Sequence, residues 1–478
     1  MEPLTPERGK LPPELISHIL KFLSQDTPDT LQNCALVSWT WCNSARPLIF
    51  RSISINTGAL PCQTWVSRFR SAPRIASLVI HLSLSGVYHH FPGSHSEPKW
   101  SIADAQNLAK ELAHIQALTI TNDTLDEDGP YHVFLRHLHG LQKLTLFYIE
   151  LESPEHLFSL MACAKTARNL SELSMLYVGS HQGPAFALFQ LLPIPSYMFG
   201  FGDAPIIQYH GPPLWSLRRL TISSTEIRKD VLSMLTSSMF DYSCFVSLTL
   251  ESAIEPLFRD HGADPMVRDL FETLIAVTGP AMRCLTLGVS NGGERSGNDN
   301  LHLSYIISAS LLKHLKPLVR LVLRSGGLSG GLLPASALAV ASRLFPTLQG
   351  HELHLEEIAI VIDVGRFDEP CEMILNHLRT LQGWQIFDDR LESTVKMLPN
   401  FRRLLFVISV GNGKPLDNEI SAIIRNALPK ANARKSLEVH VEVPVSHSCL
   451  LFPLVVEQHL QGPGVRTVIK GLSQYESG

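Results

Sequence analysis

No two cysteines in this chain are spaced as a redox or zinc motif requires. The eight stand at 34, 42, 62, 163, 244, 284, 371 and 449, with no CxxC and no recurring interval. That scatter argues against a disulfide framework or zinc site, and reduced, mostly buried thiols are expected. Charge is sparse too: Asp, Glu, Lys and Arg make up 18% of the residues and the formal net charge is −4. Basic runs never exceed a couple of residues, so nothing electrostatic draws the chain to nucleic acid or to an anionic membrane. No segment approaches the roughly 18 consecutive apolar residues of a membrane helix. The opening MEPLTPERGK has no apolar signal-peptide core, which leaves the sequons at Asn122 and Asn169 without meaning and gives cytoplasm or nucleus as the expected location.

What is present is apolar and patterned. Hydrophobic residues reach 45% of 478 positions, the composition of a folded chain long enough for several domains or one elongated repeat array. The densest information lies in Leu11 to Ile53. Pro12 and Pro13 sit where a helix begins, because proline costs little in the first turn. Leu15, Ile16, Ile19, Leu20 and Leu23 recur at helical spacing behind them, and Glu14 suits the positive helix start. Pro28 closes that helix, and Asp29 or Thr30 caps a second one carrying Leu31, Cys34, Ala35 and Ser38, with Val37, Trp39 and Trp41 pointing elsewhere. A third helix is expected to about Ala45, with Pro47 interrupting before Leu48, Ile49 and Phe50 lead into a strand at Ile53 and Ile55. A unit of about 40 to 50 residues is at the lower limit for burying its own core. It nonetheless carries apolar residues on several sides, which either the rest of the chain or a partner must cover.

The order Leu11, Pro12, Glu14, Leu15, Ile19, Leu20, then Leu31, Cys34, Val37, Ser38, Trp39, Trp41, then Ala45, Arg46, Pro47, Phe50 resembles the F-box. It is most similar to the version common in fungal, basidiomycete-like F-box families, where a phrase like CALVSxxW…ARPxxFRSI recurs. The resemblance implies a non-catalytic subunit of an SCF-type cullin-RING ubiquitin ligase. A box over residues 8–54 would bind a Skp-type adaptor and through it a cullin, and residues 55–478 would hold a target protein. It assigns Leu11, Pro12, Pro13, Leu15, Ile19, Leu20, Leu23, Leu31, Val37, Trp39 and Pro47 to the adaptor interface, some of them being internal to the box, and implies no cofactor.

After the box one phrase returns: an apolar residue, two others, Leu, one other, an apolar residue. It reads Ile75, Leu78, Ile80; Ile115, Leu118, Ile120; Leu141, Leu144, Leu146; Leu170, Leu173, Met175; and Leu217, Leu220, Ile222. It continues around Leu248 and Leu285, then at Leu318, Leu321, Leu323, at Leu355, Ile358, Ile360, around Leu404, and in an alternating strand from Leu437 to Val443. Helical patterns lie between, at 102–112, 157–164, 231–235, 305–315, 335–344, 391–398 and 420–428, with another opening at Asp264-Pro265. Strand and helix in alternation mean a parallel sheet. About ten strands are many for one doubly wound sheet, and the LxxLxL line is that of a leucine-rich repeat. The expected fold class is therefore α/β: a three-helix box followed by an irregular, leucine-rich-repeat-like solenoid. Asparagine follows the last leucine only at Asn122, so the repeat is irregular. Long loops are expected near 86–100, 179–213 and 288–300, the second carrying Phe186, Phe189, Tyr197, Phe199, Phe201 and Tyr209 as candidate target-capturing anchors.

Enzyme motifs are weak. Gly327-Leu328-Ser329-Gly330-Gly331 fits G-x-S-x-G after a strand, but a glycine cluster there is also the ordinary turn between repeat elements. His89, His90 and His95 lack ligands to complete a metal sphere. His351 and His354 are three apart, not four, and Gly411 to Pro415 lacks the Ser or Thr of a phosphate loop. The alternative to a ligase subunit is a binding scaffold whose helical N-terminus caps the repeat array.

Overall fold

The computed structural model describes residues 11–23, 28–86, 100–125, 129–151, 154–180, 212–223, 229–251, 265–289, 312–325, 353–364, 371–381, 383–410 and 417–442, with a few positions between 338 and 348. Contacts divide the chain into two compact units, Met1–Cys244 and Phe245–Gly478.

The first unit opens with α1 (Pro13–Leu23), α2 (Pro28–Ala35) and α3 (Trp39–Ile49). Proline starts α1 and α2, as its fixed φ and missing N–H allow. Ser38 does not lie on α2. It is the N-cap of α3, with extended backbone and its Oγ accepting from the Trp41 N–H at 3.4 Å. Nor does Pro47 stop α3, which runs through it to Ile49. Pro47 withholds one backbone donor in the last turn, and the helix closes two residues further on through the Phe50 N–H to the Arg46 carbonyl at 3.0 Å. Ile16, Leu20, Leu31 and Ala45 form the core of this helical unit, with Leu23, Cys34, Trp41, Leu48 and Ile49 packed against it.

The strands that follow in this unit are β1 (Ser52–Asn56), β2 (His81–Ser85), β3 (Ala117–Leu125), β4 (Lys143–Leu151), β5 (Glu172–Ser180) and, after the short β6 (Trp215–Ser216), β7 (Arg219–Ser223). Each of β1 to β5 pairs in parallel with the next, and β5 pairs with β7. β6 pairs instead with β8 (Phe240–Asp241). Spatial order repeats sequence order, so there is no reversal of the kind that defines a doubly wound sheet. The sheet is open, as in a solenoid-like repeat. Ile53, Leu82, Leu118, Leu144, Leu173 and Leu220 stand in one register row, and Ile55, Leu84, Ile120, Leu146, Met175 and Ile222 in another. Both rows are buried, because period-two alternation sends them to a single face. Helices α4 (Ala59–Ser71), α6 (Ile102–Glu111), α7 (Pro130–Leu135) and α8 (Pro154–Cys163) connect the strands and pack on one another in turn. Ser101 and Asp104 cap α6 reciprocally as a capping box.

The expected phrase Ile75, Leu78, Ile80 is displaced. Pro73 opens a short helix, α5 (Pro73–Ala76), and the strand begins only at His81, so Val79, Leu82 and Leu84 carry the buried line. β3 and β4, nine residues each, both contain one left-handed residue, Asn122 at φ 53° and Tyr148 at φ 50°. The kink shifts the alternation by one and turns Asp123 toward the helices. There it accepts from the Tyr131 hydroxyl, and from Thr57 Oγ1 at 3.4 Å. Trp100 closes this buried knot, its N–H donating to the Thr57 carbonyl at 3.1 Å and its ring edge-on to Tyr131 at 5.2 Å. Burial, and then the charge of Asp123, pushes the Tyr131 hydroxyl well above its ordinary pKa.

The rest of the first unit adds α9 (Lys229–Thr236). In the second unit β9 (Ser247–Glu251), β10 (Cys284–Val289), β11 (Arg320–Ser325), β12 (Glu357–Val364), β13 (Arg403–Val410) and β14 (Leu437–Glu442) are again parallel and sequential. α10 (Pro265–Thr278) starts at the expected proline, while α12 (Trp384–Val395), after α11 (Cys371–Thr380), begins earlier than expected, on the left-handed Gly383. α13 (Asp417–Ala427) precedes α14 (Pro429–Ala433), whose first N–H groups, of Lys430 and Ala431, donate to the buried Asp388 carboxylate at 2.9 and 3.1 Å, a placement the helix dipole favours. The two units differ in what the second face of the sheet carries. In this unit it holds Val322, Ala359, Val361, Leu405 and Val407, all buried, so β11 to β13 are apolar on both sides. The aromatic stretch 186–209, the histidines at 89, 90, 95 and 351, Ser329 and residues 411–415 lie outside the described residues.

Candidate functional site

The three-helix unit covers only part of its own apolar surface. α1 has two apolar stripes. Ile16, Leu20 and Leu23, at spacings of four and three, face the helical core, whereas Leu15 and Phe22, seven apart, continue a stripe begun by Leu11 and stand in solvent. The second exposed group lies at the α2–α3 corner. Hydrogen bonds from Leu36 N–H to the Asn33 carbonyl and from Val37 N–H to the Cys34 carbonyl, both 3.1 Å, turn the chain so that Leu36, Val37 and Trp39 project outward. Their exposures are 84%, 67% and 70%. The Arg46 guanidinium lies 5.7 Å from the centre of the Trp39 ring, which holds the indole in place without covering it. A large apolar side chain gains about 1.5 to 3 kcal/mol on full burial, so six of them left open on a unit this small are a surface made to be covered. Among the described residues nothing covers them.

Of the residues assigned to an adaptor interface, Leu11, Pro12, Pro13, Leu15, Val37, Trp39 and Pro47 are exposed, and Ile19 and Leu23 half-buried. Leu20 and Leu31 are enclosed by the other helices, at 0% and 4% exposure, and serve the core of the box. Phe22 and Leu36 were not singled out in the sequence. Spacing was the available signal for Phe22, because Leu11, Leu15 and Phe22 define a face distinct from that of Ile16 and Leu20. Nothing local marks Leu36, whose exposure depends on the corner.

A second surface is the face of the first unit's sheet opposite the leucines. One register row is made of hydroxyls, Ser54, Ser83, Thr119, Thr145, Ser174 and Thr221. The row toward the strand starts carries His81, Lys143, Glu172 and Arg219, and Glu172 accepts both Lys143 at 3.6 Å and Arg219 at 3.3 Å. His81 is held below its ordinary pKa by partial burial and by the positive charges of Arg51 and Lys143. The corresponding row of the second unit carries Arg320, Glu357 and Arg403; Glu357 pairs with both arginines, and Arg403 also reaches Glu438 from the next row. Among the described residues no group of His, Cys, Asp and Glu is placed to hold a metal ion, and no helix is long and apolar enough to cross a membrane. Among the described residues six cysteines form no disulfide, and burial followed by the charge of Asp104 pushes the Cys62 thiol to about 12, an inert group.

Residues 9–56 match the F-box-like family. The exposed apolar corner and stripe therefore belong to an F-box-like domain placed ahead of the parallel α/β sheet. No curated protein matches the chain. Among solved structures it is similar to the yeast Rad7 and Elc1 complex, at 14% identity and a TM-score of 0.32, over 90% of this chain and 98% of that one.

Proposed function

We propose that this chain is the substrate-recognition subunit of an SCF-type cullin-RING ubiquitin ligase, with a leucine-rich-repeat-like region that holds the target. The observation that carries the reading is the uncovered apolar surface of the F-box-like domain. Leu11, Pro12, Pro13, Leu15, Ile19, Leu23, Val37, Trp39 and Pro47, joined by Phe22 and Leu36, dock a Skp-type adaptor, and the adaptor brings the cullin. Trp39 is the expected anchor, since a rigid aromatic at the centre of a patch dominates binding energy. The chain itself performs no bond chemistry. It raises the effective concentration of a target lysine near an activated ubiquitin carried by the other subunits. The work is done in the cytoplasm or nucleus.

The test is a pull-down of the full chain co-expressed with a Skp-type adaptor and cullin, beside a version lacking residues 1–50. Capture of both partners by the full chain alone is the expected result. Adaptor without cullin points to a scaffold that assembles no ligase, and binding of neither makes the helices a cap on the repeat array.

A further inference from the structure

We infer that the open sheet face of the first unit docks a carboxylate-rich segment of the target, held by Arg51, His81 and Lys143 and by the hydroxyl row beside them. The inference rests on the target-holding role proposed above and names its site and chemistry.

Three observations select this face. It is open where it is polar: Ser54 and His81 are exposed and Ser83, Thr119, Thr145 and Ser174 half-exposed, whereas Phe147 and Leu176, one row further along, are buried. Across β11 to β13 of the second unit the positions corresponding to the hydroxyl row, Val322, Ala359 and Leu405, are apolar and buried, so those strands offer no row of hydroxyls. The second observation is charge. The chain as a whole has 44 acidic and 40 basic residues, yet the row of His81 holds Lys143 and Arg219 against a single carboxylate, and the exposed Arg51 adjoins it, its carbonyl accepting from the His81 N–H at 2.9 Å. The one carboxylate in the row, Glu172, is shared between Lys143 and Arg219, while in the second unit Arg403 reaches Glu438 as well as Glu357. A surplus of positive charge on an open face attracts an anionic partner and sets its register.

The third observation concerns the hydroxyls. Parallel strands stand about 4.8 Å apart, so the row presents donors at that interval across six strands. None of them makes a hydrogen bond among the described residues, and an acidic peptide supplies only acceptors along its side chains and carbonyls. The cations fix the segment's charge and the hydroxyls its position.

The full chain, co-expressed with a Skp-type adaptor and purified by a tag on the chain itself, is titrated into a fluorescein-labelled octaglutamate peptide and into its octaglutamine counterpart, with anisotropy as readout. Octaglutamate is expected to bind at least about fivefold tighter and to lose affinity as salt rises. The double variant Arg51→Glu, Lys143→Glu should weaken it about tenfold, each reversal replacing an attraction by a repulsion. Arg74→Glu, Lys110→Glu makes the same change in net charge on the helical side and should leave binding within about twofold. Equal binding of the two peptides, or equal loss in both double variants, overturns the inference. An unchanged melting temperature of the Arg51→Glu, Lys143→Glu variant shows that any loss is not unfolding. Adaptor capture is scored in the same samples. Capture without peptide discrimination defeats only this inference, and discrimination without capture defeats only the ligase reading.

Discussion

Gly86 shows how a single residue holds the first unit together. Its N–H donates to the Thr121 carbonyl at 2.8 Å, and a Cβ built there would lie 2.3 Å from the Asp123 side chain. The contact allows no side chain, whatever the backbone angles. Gly86→Ala must push Asp123 away from Tyr131 and Thr57, and leaving such buried groups unsatisfied costs about 1 to 3 kcal/mol. Urea denaturation should show that loss, and a variant as stable as the parent would mean the knot contributes nothing. His81 makes a second residue-scale prediction. Its folded pKa lies below the 6.5 of the unfolded chain, so the unfolded state takes up the proton first as pH falls. Stability is unaffected well above 6.5 and declines as pH drops through that value toward the folded pKa. His81→Gln should flatten this part of a melting-temperature profile. An identical slope in the variant would show that His81 is not its source.

At the scale of the element, each strand of the first unit works by alternation, with leucine on one face and hydroxyl or charge on the other. Leu144 is fully buried between Leu118 and Leu173 in its row. Leu144→Ala leaves a cavity that neighbouring strands cannot close, and the expected destabilisation is about 2 to 5 kcal/mol, read from equilibrium unfolding. A cost under about 1 kcal/mol would mean that the row collapses around the gap. Most elements were legible in the sequence because this alternation is local: Leu118 and Ile120, Leu144 and Leu146, Leu321 and Leu323 all fall where the repeated phrase puts them. The exceptions have local causes of another kind. Pro73 placed a helix where the phrase suggested a strand, Gly383 started α12 early, and α3 absorbed Pro47 in its last turn, where little helix remained to break.

On the scale of the whole molecule the box and the sheet have separable roles, since Ile16, Leu20, Leu31 and Ala45 form a core of their own. Leu11→Ala with Pro12→Ala alters the exposed entry of α1 without touching that core. Adaptor capture should fall while circular dichroism and cooperative melting stay unchanged. Loss of cooperativity in this variant would show instead that box and repeat share one core.

The sequence alone determined the class of fold, because buried rows repeat with period two in strands and helices must lie between parallel strands. It also marked the N-terminal unit as having more apolar residues than its helices can hide. Only the tertiary structure decided which of those residues stay exposed. Leu20 and Leu15 are equally apolar and five apart, but helix α3 packs over one and not the other. Likewise β12 and the strands of the first unit share the same leucine line, and their second faces differ: Ala359 and Val361 are buried, while Ser54 and His81 stand in solvent. Spacing along a chain fixes the face on which a side chain lies, whereas what comes to rest against that face is a long-range contact that no local pattern encodes.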